Sequence, residues 1–106
     1  MRKAEIYNHG QLSCILFLDD AGIYTLQYLK SYQGPPISLT MPIRDEPYLF
    51  DNFPPFFDGL LPEGNQLEAL LKIAKLDRHD LFSQLTTVGK DLVGSVTVKE
   101  VRNEQN

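Results

Sequence analysis

The sequence predicts an α+β fold: a small, largely antiparallel sheet of about five strands, with three short helices inserted before the last strand. Three observations predict it. Apolar residues alternate with polar ones in the first half of the chain, recur with helical spacing in the second half, and alternate again in a short closing segment. Strands followed by helices indicate an α+β class, and 106 residues are enough for one domain.

Four strands are predicted in the first half, at residues 4–7, 11–18, 23–28 and 37–41. The second strand has its main apolar face at four alternate positions, Leu12, Cys14, Leu16 and Leu18. The connections between the first three strands are too short for parallel crossovers, so an antiparallel meander follows. In the fourth, Ile37, Leu39 and Met41 alternate and Pro42 ends the run.

Three helices are predicted in the second half, at residues 53–61, 65–74 and 77–88. The first carries one apolar stripe, at Phe53, Phe56, Phe57, Leu60 and Leu61. The expected N-terminal caps are Asp51 or Asn52 for the first helix, Asn65 with Glu68 for the second, and Asp77 for the third. Gly89 is expected to be a left-handed C-terminal cap. A closing strand is predicted over residues 92–101, where Gly94 indicates a bulge or a tight approach. Residues 1–101 then form one module, and residues 102–106 form a polar tail.

Composition predicts a folded protein of the reducing cytoplasm. Leu, Ile, Val and Phe supply 33 of the 106 residues, which is ample for a core. The longest apolar run, residues 14–18, is far shorter than a membrane span, and the N-terminus lacks a signal-peptide core. A single cysteine cannot form an internal disulfide.

Charge is distributed unevenly along the chain. Residues 45–68 hold six carboxylates and no Lys or Arg, so the remaining residues carry +2 of the net −4. An acidic block opposes binding to nucleic-acid phosphates and favours a basic protein surface. The alternative interpretation is a solvated face that only aids solubility.

No residue pattern predicts catalysis, a cofactor or a metal ion. His9 and His79 fall at separate turn-like positions, whereas a metal site needs ligands close together. Cys14 lies on the apolar face of a strand, which is typical of an inert thiol. Asp58 and Glu63 form a conceivable carboxylate pair, but solvated surface is the better interpretation because no substrate-binding companions accompany them. We therefore expect a protein that is not an enzyme.

The remaining feature is the segment from Leu60 to Asn65, a tight connection between two predicted helices. Its Pro and Gly fix a turn, and acidic residues flank it. The plain interpretation is a helix–helix connector; the functional one is a protruding surface presented to a partner protein. The partner-binding candidates are Asp58, Pro62, Glu63, Gly64 and Asn65. Asn65 can form hydrogen bonds, but it cannot fill an apolar pocket as an aromatic side chain would.

Three segments carry a resemblance to a known family: ISLTMP at residues 37–42, FPPFFDGLLPEG at residues 53–64 and VGKDLVGSVTV at residues 88–98. In this order they resemble the N-terminal subdomain of HipA-type serine/threonine kinase toxins, over nearly the whole chain. In that family the subdomain is a small strand-rich module with helices that precedes the kinase core. The ATP-binding and catalytic segments of such a core do not appear in this sequence.

A free-standing copy of this subdomain resembles the HipS-type antitoxins, which act beside a HipT-type kinase toxin and a DNA-binding HipB-type protein. The resemblance implies an antitoxin that binds and neutralises the kinase, with the HipB-type protein as a possible third component. The alternative is an N-terminal regulatory subdomain excised from a full-length HipA-type kinase. A small enzyme and a nucleic-acid-binding module are the remaining alternatives, but no constellation supports the first and the acidic block opposes the second.

Overall fold

A computed structural model describes residues 1–92 and 94–102 and shows a five-stranded antiparallel sheet with helices between its fourth and fifth strands. The strands are β1 (Arg2–Asn8), β2 (Gln11–Leu18), β3 (Tyr24–Tyr28), β4 (Tyr48–Phe50) and β5 (Val96–Val101), and the helices are α1 (Pro55–Asp58), α2 (Gly64–Ala74) and α3 (Leu81–Val88). The sheet order is β4-β3-β2-β1-β5, so the last strand returns to pair with the first. The predicted fold class is confirmed.

One face of the sheet forms the core. The register places Ile6 opposite both Cys14 and Val98, and Leu16 opposite Leu26, so these side chains share a face. All five are buried. The helical half covers this face with larger side chains, chiefly Phe57, Phe82 and Leu85, none of which is exposed. Burial of each such side chain contributes about 1.5–3 kcal/mol before the cost in conformational entropy.

A bulge in β2 changes one predicted feature of that strand. The pairing of β1 with β2 shifts between Ile6 and Tyr7, so that Tyr7 pairs with Leu12 and the buried Ser13 is the extra residue. The Ser13 hydroxyl donates a 2.8 Å hydrogen bond to the Ile6 carbonyl. Because the extra residue reverses the alternation, Leu12 lies on the opposite face from Cys14, and the prediction that both share one face was wrong.

The predicted strand at residues 37–41 is also wrong. The Met41 N–H donates to the Ser38 carbonyl at 3.1 Å, which closes a turn, and only an isolated bridge joins the two residues. Ile37 and Met41 are buried, whereas Leu39 is 96% exposed at the tip. The Tyr28 hydroxyl holds both ends of the turn, since it donates to the Met41 carbonyl and accepts from the Ile37 N–H. The alternating pattern therefore reflects two anchors around a turn, and the fourth strand is the short β4.

The helices start at different caps from those predicted. Pro54 precedes α1 and Glu63 precedes α2, and neither side chain caps its helix. Asn65 lies inside α2, so the predicted capping box with Glu68 is wrong. At α3 the cap is Asp80 rather than Asp77, because the Asp80 carboxylate accepts from the Ser83 N–H at 3.1 Å.

Gly89 serves a purpose other than the predicted left-handed cap. Its φ of −54° is ordinary helical backbone, and it begins a 3-10 turn, Gly89–Asp91, directly after α3. A Cβ atom at this position would overlap the Val98 carbonyl oxygen of β5. The glycine is therefore needed because the two backbones approach closely. Gly94, in contrast, has open space around it and a φ of +107°.

Two predicted features include residues that the structure does not describe. The closing strand starts at Val96 rather than at residue 92, and Val93 is not described. Of the predicted polar tail, only Arg102 is described; residues 103–106 lie outside. Within residues 1–92 and 94–102, no helix has the length and apolar character that crossing a bilayer requires.

Candidate functional site

The five predicted partner-binding residues all lie where α1 ends and α2 begins, in a segment that we name the acidic turn (residues 58–65). Asp58 ends α1 and its carbonyl accepts from the Leu61 N–H at 3.2 Å. Glu63 precedes α2 and its carbonyl accepts from the Leu67 N–H at 3.4 Å. Backbone hydrogen bonds therefore fix the chain on both sides of Pro62.

Two residues restrict the shape of the acidic turn. Pro62 has a fixed φ and no N–H to donate. Gly64 has a φ of +58°, a left-handed backbone conformation that is unfavourable for residues with a Cβ atom. The connection is thus a defined bend rather than a flexible linker, so groups on it are presented in one arrangement.

The acidic turn exposes its charged and polar side chains. Asp58, Glu63 and Asn65 are exposed, and Pro62 is half-buried. Within the described parts of the chain, neither carboxylate forms an ion pair or a side-chain hydrogen bond. Both charges are therefore available to a partner.

Helix α2 is tied to the segment that follows it by a side-chain contact. Arg78 donates a 2.8 Å hydrogen bond to Glu68 of α2, which lowers the pKa of that carboxyl group. The buried Gln84 amide donates to the carbonyls of Asp77 and Arg78, and this fixes the link between α2 and α3. No residue of α2 is fully buried, so most of this helix lies on the surface.

A groove of about 570 Å³ adjoins the acidic turn, and we name it the leucine groove. Its lining comes from the turn, the start of α2, the end of α3 and the segment after α3: Gly59, Leu60, Leu61, Pro62, Gln66, Val88, Asp91 and Leu92. Leu60, Leu61 and Leu92 pack against the buried core, so these walls are supported from behind. The site thus combines apolar walls that rest on the core with exposed carboxylates.

Basic groups gather elsewhere on the molecule. Arg2, Lys3, Arg102 and the N-terminal residue Met1 line a hollow at the β1–β5 end of the sheet. Arg2 also lies over the Phe82 ring and pairs with Glu100 at 3.1 Å. The acidic turn and this basic region belong to different parts of the fold.

The cysteine and the two histidines considered in the sequence analysis lie in the following environments. Burial raises the pKa of the Cys14 thiol to about 12, although a hydrogen bond with Ser13 opposes this. His9 and His79 are both exposed. Over residues 1–92 and 94–102, no three His, Cys, Asp or Glu side chains gather closely enough to hold a metal ion.

Comparison with known proteins identifies the family to which the chain belongs. The family model of the HipA N-terminal domain matches residues 4–99. The chain belongs to the HipA N-terminal domain family. A solved structure described as the N-terminal domain of HipA toxin has a TM-score of 0.78 and 27% sequence identity, with 98% of this chain and 96% of that chain covered. An uncharacterized protein of Haemophilus influenzae is 30% identical over 100 residues, which span 94% of this chain and 93% of that protein.

Family membership confirms the resemblance drawn from the sequence, but sequence reasoning did not connect three of the eight groove residues with the acidic turn. Val88, Asp91 and Leu92 line the groove from a segment 26 or more residues beyond Pro62. The signal was present, because VGKDL is part of one of the three resembling segments. Neither helical nor strand periodicity shows that this segment meets the acidic turn, since only the packing of α3 brings them together.

Proposed function

We propose that this chain binds a HipA-type serine/threonine kinase toxin and neutralises it by protein–protein contact. The observation that carries the proposal is membership of the HipA N-terminal domain family along residues 4–99. A domain that accompanies a kinase core needs a surface that contacts that core. The same contact can be made by a separate polypeptide.

The properties of the acidic turn support a binding role. Asp58 and Glu63 are exposed on a bend that Pro62 and Gly64 hold in shape, so little ordering is required when a partner binds. A kinase surface that handles ATP is expected to be basic, and carboxylates on a preorganised turn complement it. The H. influenzae relative, 93% of which is covered, is itself a protein of about this size.

The test uses the full chain and a HipA-type kinase from the same genome. Coexpression is expected to rescue growth, and the two proteins are expected to copurify. The purified chain should also lower the kinase phosphorylation rate. A chain that forms no stable complex and leaves that rate unchanged refutes the proposal. Adding a HipB-type protein then tests whether a ternary complex is needed.

The surface is tested with a double variant, Glu63→Lys with Asn65→Arg, which reverses the charge of the acidic turn. We expect its affinity for the kinase to fall at least tenfold. The matched control is Asp20→Lys with Gln33→Arg, which changes the net charge equally at two exposed positions outside the turn. Equal affinities of the two variants would remove the acidic turn from the interface.

A further inference from the structure

We propose that the leucine groove receives an apolar side chain of the kinase from a segment that also carries Lys or Arg. This inference rests on the proposed function, because it names what the same surface recognises in its partner. It follows from the form of the groove, from the support behind its walls and from the charge at its margin.

The groove is a preformed recess whose two walls carry apolar side chains. Leu60 and Leu61 supply one wall and Val88 and Leu92 supply another, and each of these side chains is only partly buried. Its volume of about 570 Å³ exceeds that of one large side chain. Since the leucines rest on the core, a partner gains apolar contact area without a rearrangement of this chain.

The margin of the groove is acidic. Asp91 lines it directly, while Asp58 and Glu63 lie in the turn that bounds it. All three are exposed, and none has an ion-pair partner among the residues that the structure describes. The nearest basic residue in sequence, Lys90, lines a different hollow together with Thr86 and Thr97. An apolar seat with this margin fits an apolar anchor beside cationic groups.

The groove is tested by blocking it with a larger side chain of this protein itself. Gln66 is exposed on α2 and lines the groove, so Gln66→Trp places a large side chain at its mouth. The control is Ile73→Trp, an 82% exposed position on the same helix about 10 Å away. We expect Gln66→Trp to weaken kinase binding at least tenfold and Ile73→Trp to change it less than threefold, with the thermal midpoints of both close to that of the wild type.

The margin is tested by charge and salt. Asp91→Lys is expected to weaken kinase binding at least tenfold at low ionic strength, and the difference from the wild type should shrink as salt is added. The kinase affinity of the conservative variant Asp91→Asn should lie between those of the wild type and Asp91→Lys. Identical salt dependence of all three proteins would overturn the electrostatic part of the inference.

The chemistry of the occupant is read directly by photo-crosslinking. p-Benzoylphenylalanine in place of Gln66 should crosslink to a kinase peptide that contains an apolar residue within two positions of Lys or Arg. A crosslink to an acidic segment, or to a second copy of this chain, would overturn the inference. If the wild type binds no kinase, the proposed function fails; if it binds, and Glu63→Lys with Asn65→Arg weakens binding while Gln66→Trp does not, only the groove inference fails.

Discussion

Replacing Gly89 with alanine tests the close contact between the 3-10 turn and β5. Gly89 has helical backbone angles, for which alanine is ordinarily better than glycine by about 0.5–1 kcal/mol. Here, however, the added methyl group would overlap the Val98 carbonyl oxygen and lie 2.8 Å from its carbonyl carbon. Because carbon atoms in contact are about 3.5–4.0 Å apart, the 3-10 turn and β5 must separate by roughly 1 Å.

The expected cost follows from that displacement. Overpacking of this kind costs about 1–3 kcal/mol, and backbone atoms cannot rotate away as a side chain can. Subtracting the helical gain leaves a net loss in the free energy of unfolding that is centred on about 1 kcal/mol and is at most about 2.5 kcal/mol. Each kcal/mol lost lowers the thermal midpoint by roughly 4–8 °C. Urea denaturation, with the slope checked against the wild type, measures the loss.

The matched control is Gly59→Ala. Gly59 also has helical angles, but the nearest atom to an added Cβ is the Phe56 carbonyl oxygen at 3.5 Å, an ordinary contact. This variant should be neutral or stabilised by about 0.4–1 kcal/mol. If Gly89→Ala were as stable as Gly59→Ala, the close approach of the 3-10 turn to β5 would be wrong. The position of the groove wall formed by Asp91 and Leu92 would then also need revision.

Two further predictions concern ionisable groups. The Asp80 side chain caps α3 through Ser83, so Asp80→Ala should lose about 1 kcal/mol at neutral pH, while Asp80→Asn retains much of the cap. Desolvation raises the Asp80 pKa, but hydrogen bonds from Ser83 and the nearby Arg2 outweigh it and hold the pKa below its usual value. A group whose pKa is depressed in the folded protein adds stability above its unfolded-state pKa, and this stability is lost as pH falls through the folded-state pKa. The wild type should therefore exceed Asp80→Asn in free energy of unfolding near neutral pH, and the difference should vanish in acid. Unfolding measurements on both proteins across the acid range check this. Cys14 is fully buried with its pKa raised to about 12, so it should react with a thiol reagent only as fast as the protein opens, and rapid labelling of native protein would contradict its burial.

Residues 37–41 show where pattern reading fails. The alternation of Ile37, Leu39 and Met41 is what a strand requires, yet the structure buries the first and last around a turn and leaves Leu39 in solvent. Periodicity records which residues are apolar, but not whether hydrogen-bond partners are available on either side. The Tyr28 hydroxyl supplies those partners instead of a neighbouring strand.

The helix caps show the same limit at shorter range. Asp77 and Asp80 are both suitable cap residues by type, and only the backbone path decides that Asp80 accepts the Ser83 N–H. The prediction that Gly89 is a left-handed cap was wrong, because its φ is −54°. The glycine is required by Val98, nine residues further along the chain, whose carbonyl group approaches it closely.

The sequence by itself determined the α+β class, the antiparallel meander and the location of the acidic turn, because these depend on local periodicity, short connections and a run of charge. The family was indicated separately, by the resemblance of three motif segments to known members. The tertiary structure alone decided that VGKDL meets the acidic turn and that the two enclose the leucine groove. The physical reason is that a groove is made by side chains from distant segments. Their juxtaposition depends on how α3 packs against the sheet, which no local pattern encodes.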